Sequence, residues 1–249
     1  SVGVLGPISV AADSPREYDI QAFYQSVSNA STTFSRIDLP NPNHVLDAQG
    51  NREELEMDAE LSTVAAPGED SVTMVLAPSD QLFPAGMSYF VNHLPNLAAV
   101  SVSYGNCEAY EDAFEPVTVA NLVAQAAAEG QAWFSASGDD GADDCRDQSG
   151  PAVDFPSSAP YMVAVGGTAY TGTFDASSAV LNWNHEVVWN DGSGYGAGGV
   201  GKSELFARPS YQRGTAYGPG TTRLLPDFSL MAGPTPGVVI IDTAPGSLD

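Results

Sequence analysis

Residues 117–138 read VTVANLVAQAAAEGQAWFSASG, a stretch that predicts a helix followed directly by a buried strand. Apolar residues in its first part recur at the spacing of one helical face: Val119, Leu122, Val123, Ala126 and Ala127. After Gly130 comes the short apolar run 132–136, which is typical of a strand covered on both faces. A helix that leads into such a strand is the repeating unit of α/β folds built on parallel sheets.

The same alternation extends over most of the chain. Apolar runs predict strands at residues 2–5, 33–38, 71–77, 98–103, 132–136 and 161–165. Helical spacing predicts helices at residues 16–28, 52–65, 84–93 and 117–129. We therefore expect an α/β fold with a mostly parallel central sheet and helices on both faces, in which ligands bind at the carboxyl ends of the strands.

From residue 170 onward the composition changes. Gly, Ser, Asn and Trp dominate, above all in residues 190–199, and this predicts loops and turns with little regular structure. No linker or internal repeat divides the sequence, so we expect residues 1–249 to form one domain.

The predicted helix 52–65 places Glu54 and Asp58 one above the other, because residues four apart share a helical face. The same face continues with apolar Leu61 and Ala65, which predicts that it is buried. The solvent side is expected to hold the other acidic residues: Glu53, Glu56 and Glu60. A buried carboxylate is costly unless it is paired or shares a proton, so the pair asks for a functional explanation. An acidic helix that simply faces water is the alternative.

The charge balance excludes some partners. With 31 acidic and 8 basic residues, the net charge of −23 repels nucleic acid and anionic membranes, and no apolar run is long enough to span a bilayer. Such acidity suits either low pH or high salt. The chain opens directly into an apparent strand, residues 2–6, without a signal peptide, so we expect a mature, secreted form.

The two cysteines, Cys107 and Cys145, each follow an apolar strand-like run, so neighbouring parallel strands could bring them together. A disulfide between them would indicate an oxidising, extracellular setting, and two unpaired thiols are the alternative. Metal-binding patterns are weak, because the three histidines are scattered and the cysteines have no zinc spacing. Four aspartates could form a calcium loop but match no calcium-binding spacing, so a solvated acidic loop is favoured: Asp139, Asp140, Asp143 and Asp144.

Three blocks carry a family resemblance: SVSYG at 101–105, FSASGDDGA at 134–142 and VDFPSSAPYMVAVGGT at 153–168. Together they resemble the sedolisin family, the acid-acting serine-carboxyl peptidases with a subtilisin-like fold. The resemblance extends in order over nearly the whole chain, from VGVLG at 2–6 to LPDFS at 225–229.

The resemblance implies a role for each site residue. Glu54 would be the general base toward a catalytic serine, Asp58 would orient and polarise it, and Asp139 would donate a hydrogen bond in the oxyanion hole. The substrate backbone would pair with Ser103, Tyr104 and Gly105. The pocket for the side chain before the scissile bond would be lined by Ala136, Ser137 and Gly138. Asp154 would form the floor of that pocket and favour Arg or Lys, unless it is an aspartate of a surface loop.

The family's nucleophile lies in a Gly-Thr-Ser motif that these 249 residues do not contain, since Gly167-Thr168 and Gly220-Thr221 are not followed by serine. We therefore expect the N-terminal part of a processed peptidase that acts on proteins or peptides. A second polypeptide chain would supply the serine and a calcium site whose ligands lie beyond residue 249. A degenerate homologue that binds peptides without cleaving them is the alternative. A glycosidase is disfavoured, because two carboxylates one turn apart on one helix cannot flank a sugar.

Overall fold

The computed structural model describes the chain except for residues 10–13, 28–30, 45–50, 113, 147–149, 175–179, 193–195, 215–217, 235–236 and 244–249, and it describes no side chains at 174 and 180–184. The chain divides into two compact units. Unit 1 comprises Ser1–Tyr104, Val117–Phe134 and Val239–Asp249, and unit 2 comprises Gly105–Pro116 and Ser135–Val238. The expectation that residues 1–249 form one catalytic domain stays a prediction.

Unit 1 is built on parallel strands. Strand β1 (Val2–Pro7) is buried at all six positions and pairs in parallel with β3 (Ser71–Ala77) and β4 (Ala99–Val102). On the outer side of β3 lies β2 (Thr33–Asp38), also parallel. Beside β4, strand β6 (Ala132–Ala136) begins, with the Ala132 N–H donating to the Ala98 carbonyl at 2.9 Å. The strands predicted in unit 1 are therefore confirmed, and the continuous or nearly continuous burial of β1 and β3 explains their unbroken apolar runs.

The four predicted helices are confirmed with small changes of boundary. They are α1 (Glu17–Ser26), α2 (Arg52–Ala65), α3 (Ser88–His93) and α4 (Glu115–Glu129). Before α3 the chain forms a π-helical turn, Leu82–Met87, which contains Pro84. Proline lacks the N–H that a regular helical turn needs, so it interrupts the helix predicted at 84–93.

Unit 2 corrects the prediction of loops after residue 170. Strand β8 (Met162–Phe174) pairs in parallel with β12 (Phe228–Met231) and antiparallel with β9 (Val180–Val188). A second antiparallel pair is formed by β10 (Gly201–Ala207) and β11 (Thr222–Leu225). Residues 185–188 of β9 are exposed. Antiparallel strands with a wet face carry polar residues and glycine, so no apolar run marks them in the sequence.

The predicted disulfide between Cys107 and Cys145 is present. Parallel strands do not bring the cysteines together, contrary to expectation. Cys107 lies in the short strand β5 (Asn106–Cys107), which pairs antiparallel with β7 (Asp154–Phe155), and Cys145 follows in a loop. Among the described residues, no helix is both long and apolar enough to cross a bilayer.

Helix α2 turns a different face to the interior than its sequence predicts. Its buried positions are Leu55, Glu56, Ala59, Glu60 and Thr63. Leu55 and Ala59 pack in a cluster with residues of α1 and β1. Glu54 and Asp58 are half-buried, and Ala65 is exposed. The expectation that Glu56 and Glu60 face solvent is therefore wrong, because both are 0% exposed.

Candidate active site

Helix α2 carries the two acidic side chains singled out by the sequence. One turn separates Glu54 from Asp58, and Asp58 Oδ1 accepts a hydrogen bond from the Ser103 hydroxyl at 2.6 Å. The second oxygen, Asp58 Oδ2, is buried without a hydrogen-bond partner. Burial raises the pKa of Asp58 well above its usual range, the neighbouring Glu54 raises it further, and the Ser103 hydrogen bond opposes the shift. An ionised Glu54 therefore favours a protonated Asp58.

A glycine allows α2 to approach the central strand. A side chain on Gly6, near the end of β1, would collide with Leu55 of α2 and would also meet the Tyr104 ring. Leu55 is fully buried and lies next to Glu54 in the sequence. The absence of a side chain at Gly6 thus allows α2, with Glu54 and Asp58, to lie close to β1.

In unit 2, Asp139 lies three residues past the end of β6. The backbone before and after it is held by hydrogen bonds. The Gly199 N–H donates to the Gly138 carbonyl at 2.8 Å, and the Ala197 N–H donates to the Asp139 carbonyl at 2.8 Å. Although Asp139 is exposed as a residue, desolvation of its carboxyl and the nearby Asp140 raise its pKa, while Arg146 opposes the shift. The raised pKa favours the protonated form, which can donate a hydrogen bond.

Asp154 is a buried residue of β7, so the alternative of a surface-loop aspartate is wrong. Only 6% of its surface is exposed, and the Ser157 hydroxyl lies 3.4 Å from its Oδ1. A side chain on Gly105 would collide with its carboxylate, so only glycine fits there. Burial raises the pKa of Asp154 well above its usual range, and the charge of Asp144 is the second-largest cause of this rise.

Sequence reasoning missed Asp144 as part of this site. A side chain on Gly138 would collide with Asp144 Oδ1 and would also approach Asp154 Cβ, so both aspartates lie beside this glycine. Burial and Asp140 raise the pKa of Asp144 to about 6. A signal for this proximity was present. Cys145 directly follows Asp144, and the disulfide partner Cys107 is the register partner of Asp154 in the β5–β7 pair.

The residues expected to line the substrate pocket lie at the end of β6. Ala136 is the last residue of the strand, and the Ser137 hydroxyl donates to the Gly199 carbonyl at 2.8 Å. Ser103 and Tyr104 belong to unit 1, whereas Gly105 begins unit 2. The structure thus groups Glu54, Asp58, Ser103 and Tyr104 in one unit. It groups the remaining site residues in the other: Gly105, Ala136, Ser137, Gly138, Asp139 and Asp154.

Carboxylate oxygens that could share a metal ion occur, among the described residues, at Asp19, Glu56 and Asp242, within 4.8 Å of one another. They do not fit calcium, because the guanidinium groups of Arg16 and Arg52 already pair with them. Arg52 donates to Asp242 at 2.9 Å, and the Thr243 hydroxyl donates to Asp19 at 2.8 Å. The loop from Asp139 to Asp144 forms no such cluster among the residues described, and Arg146 pairs with Asp140 at 2.5 Å.

Comparison with known proteins identifies the relatives of this chain. It matches no family model. It is 31% identical to sedolisin of Pseudomonas sp. (strain 101) over 252 residues, covering 95% of this chain and 42% of that protein. It is 32% identical to kumamolisin of Bacillus sp. (strain MN-32) over 209 residues, covering 79% of this chain and 36% of that protein. The chain thus spans about two fifths of the length of these curated relatives.

A solved structure agrees with the sequence relatives. Pseudomonas sedolisin, a serine-carboxyl proteinase solved with two molecules of pseudo-iodotyrostatin, superposes with a TM-score of 0.78 at 28% identity. The match covers 96% of this chain and 67% of that chain, and it confirms the subtilisin-like α/β fold expected from the sequence. Because sedolisin is 31% identical over 95% of the chain and kumamolisin 32% identical over 79% of it, the chain belongs to the sedolisin family.

Proposed function

We propose that the chain supplies the acidic residues of an acid-acting serine-carboxyl endopeptidase. The observation that carries the proposal is the pair Glu54 and Asp58 on α2, in which Asp58 is hydrogen-bonded at 2.6 Å and has a raised pKa, within a chain related to sedolisin. Glu54 is the general base toward a serine, and Asp58 holds and polarises it. This is the relay of a serine protease with carboxyl groups in place of imidazole.

Such a relay operates at acid pH. A carboxylate base must be ionised to take the proton of the serine, whereas its orienting partner is neutral while the two share one proton. The raised pKa of Asp58 supports this division of protons. The best pKa for a general base lies near the working pH, so a glutamate base favours acid conditions.

Asp139 is the proposed oxyanion-hole donor. Only a protonated carboxyl can donate a hydrogen bond to the oxygen that becomes negative during attack on the peptide carbonyl. The raised pKa of Asp139 extends the pH range in which that form exists. A donor of this kind lowers the barrier by roughly 3 to 4 kcal/mol.

The substrate is a protein or peptide. We propose that Ser103, Tyr104 and Gly105 pair with its backbone as an added strand. Ala136, Ser137 and Gly138 line the pocket for the side chain before the scissile bond, and Asp154 attracts a basic side chain there. The burial of Asp154 supports the assignment, because a cation from the substrate would compensate a carboxylate that is otherwise costly to ionise.

The serine itself lies outside these 249 residues, since none of their threonines in a Gly-Thr pair precedes a serine. We propose that a second polypeptide chain supplies it, together with a calcium site. We expect the ligands of that calcium site to lie beyond residue 249. The disulfide supports a secreted, extracellular protein, because oxidising compartments preserve such bonds.

Intact mass under native and denaturing conditions tests the two-chain arrangement. We expect a companion chain of roughly 100 or more residues that contains Gly-Thr-Ser, a size needed to complete a domain core. A single 25.9 kDa species that folds stably would contradict it.

Cleavage of denatured protein tests the catalytic roles. The complete enzyme should cut between about pH 3 and pH 5, where carboxyl groups titrate. Glu54→Gln should abolish cleavage while the far-ultraviolet circular dichroism spectrum, which reports secondary structure, stays unchanged. Glu53→Gln is the matched control, because this neighbour has a side chain that is 73% exposed, and it should leave cleavage intact. Peptide binding without turnover at any pH would favour the non-catalytic homologue instead.

A further inference from the structure

A short segment of the chain, Ile241–Thr243, lies against the helices of unit 1, and we call it the clasp segment. The Ile241 N–H donates to Glu60 Oε2 at 2.9 Å, and the Thr243 N–H donates to Asp19 Oδ2 at 3.2 Å. Between them, Asp242 accepts from Arg52 at 2.9 Å. Every contact of the clasp segment named here is with α1, α2 or the residue that precedes one of them.

Two buried glutamates lie under the clasp segment. Glu56 and Glu60 are both 0% exposed, and one oxygen of each accepts a backbone N–H. Glu56 Oε1 accepts from Arg16 at 2.6 Å, and Glu60 Oε2 accepts from Ile241. The other oxygen of each, Glu56 Oε2 and Glu60 Oε1, is buried without a hydrogen-bond partner. An unpartnered buried oxygen is far cheaper in a neutral carboxyl than in a carboxylate.

Protonation of Glu56 and Glu60 balances the charges at the clasp. Four carboxyl groups meet here: Asp19, Glu56, Glu60 and Asp242. They face two guanidinium groups, those of Arg16 and Arg52, at 2.9 to 4.0 Å from the nearest paired carboxyl oxygens. With all four ionised, two negative charges are uncompensated, whereas protonation of Glu56 and Glu60 removes both.

Other titratable groups around the clasp do not reverse this balance. The Tyr18 hydroxyl of α1 accepts a hydrogen bond from the Thr243 hydroxyl at 2.9 Å. Tyr24, also of α1, lies near Glu60. Glu69 also lies near Tyr24, and Glu53 pairs weakly with Arg52 at 3.7 Å from an exposed position. Glu53 and Glu69 are acids and the tyrosines are neutral, so none of them supplies a positive charge that would stabilise the ionised form of the buried pair.

We propose that Glu56 and Glu60 are positioning residues that hold the clasp segment on α1 and α2 while they are protonated, and release it when they ionise. The clasp segment contacts both α1 and α2, so while it is bound it holds α2, the helix that carries Glu54 and Asp58, against α1. The importance of this position for catalysis rests on the proposed function. The release itself concerns unit 1 alone and does not.

The direction of the pH effect follows from the environment of the two glutamates. Burial, first of all, raises the pKa of each to about 7, and the backbone N–H groups of Arg16 and Ile241 only partly oppose the shift. Release exposes both carboxyls to water, where their pKa is ordinary. The closed form therefore binds more protons than the released form, and rising pH favours release.

Amide hydrogen exchange of the full chain tests this proposal directly. We expect the protection factors of the Ile241 and Thr243 amides, each corrected for the intrinsic rate at that pH, to fall between pH 5 and pH 8. The fall should be about tenfold or more per glutamate, since one pKa unit corresponds to a factor of ten. The amide of Val75, in the middle of β3, reports global unfolding, and its exchange should stay slower than that of Ile241 and Thr243 at every pH. Constant protection of Ile241 and Thr243 over this range would overturn the proposal.

Variants separate ionisation from simple loss of a contact. Glutamine keeps an acceptor oxygen but cannot ionise, so in the double variant Glu56→Gln/Glu60→Gln the clasp segment should remain protected at pH 8. Each single variant, Glu56→Gln or Glu60→Gln, should lose only the protection that the remaining glutamate controls. Glu53→Gln removes an exposed charge from the same helix and should behave like the wild-type chain. If the double variant loses protection as the wild type does, the glutamates do not control the clasp. Because exchange is read without substrate, failure here leaves the proposed peptidase function untouched, and the wild-type titration decides even if a variant misfolds.

Discussion

At the scale of single residues, the proposed role of Asp154 in substrate choice implies a dependence on pH, because the residue is buried. A basic side chain is attracted by the ionised carboxylate, yet burial and Asp144 raise the pKa of Asp154 well above its usual range. At acid pH a bound Arg must therefore displace a proton, and this displacement reduces its advantage over a neutral side chain.

We predict that the preference for Arg over Met before the scissile bond grows as pH rises through the acid range, by up to about tenfold per pH unit. Asp154→Asn should remove both the preference and its pH dependence. Asp112→Asn, an exposed change of the same charge in unit 2, should alter neither. Cleavage profiling of a peptide library at several pH values is the measurement, and equal cleavage after Arg and Met by the wild type would rule out this role.

The residues of α2 show where sequence reasoning succeeds and where it stops. The spacing of Glu54 and Asp58 is local, so it could be read directly. The burial of Glu60 depends on Ile241, which is 181 positions away in the sequence. Acidic residues at 53, 54, 56 and 60 surround the helix, so charge alone cannot identify the inner face. Only the fold shows which carboxyls find partners.

At the scale of elements, β11 and β12 meet at a buried ion pair. Arg223 is 0% exposed and donates to both oxygens of Asp227, at 2.7 and 2.6 Å. Asp227 Oδ2 also accepts the Ala164 N–H of β8 at 2.9 Å, so one carboxylate joins three strands or their ends. These hydrogen bonds, Arg223 foremost, lower the pKa of Asp227 against the opposing effect of its burial.

Removal of the guanidinium leaves a half-buried carboxylate unpaired. We predict that Arg223→Met destabilises the chain by about 3 kcal/mol, as expected for one partner of a buried pair. Arg146→Met is the control, because Arg146 is 71% exposed and its pair with Asp140 should contribute less than about 1 kcal/mol. Urea unfolding at constant pH measures both, and equal effects would show that burial does not distinguish the two pairs.

The strands differ in how far their sequences predict them. β1 and β3 are buried on both faces, so unbroken apolar runs mark them and their prediction is confirmed. Residues 185–188 of β9 are exposed, and so are Phe228 and Leu230 of β12. Neither strand therefore has the continuous burial that an apolar run indicates. Their pairing with β8 depends on contacts remote in sequence. The parallel strands of unit 1 were therefore predictable, and the strands after residue 170, parallel β12 included, were not.

At the scale of the whole molecule, the net charge of −23 leaves two explanations, low pH or high salt. The buried acids distinguish them. Burial is the largest cause that raises the pKa of Glu56, Glu60 and Glu111 to about 7 and that of Asp144 to about 6. High salt screens exposed charges but does little for buried ones, whereas protons neutralise both. The distribution of raised pKa values over both units thus favours low pH.

The same acids set the pH dependence of stability. A carboxyl whose pKa is higher in the folded chain than in the unfolded chain stabilises fully below its unfolded pKa, and this stabilisation is lost as pH rises through the folded value. We therefore predict that the urea midpoint is highest near pH 4 to 5, the usual pKa range of Glu and Asp, and falls steadily up to about pH 7 to 8. Asp227 acts in the opposite sense, because its pKa is lowered, and it contributes the loss of stability at still lower pH. Measurements at low and high salt complete the test. A chain that unfolds at pH 4 in low salt but folds in molar salt would show adaptation to salt, whereas a fold retained at pH 4 in low salt and lost toward pH 8 supports an acid-adapted protein in which the buried carboxyls hold their protons.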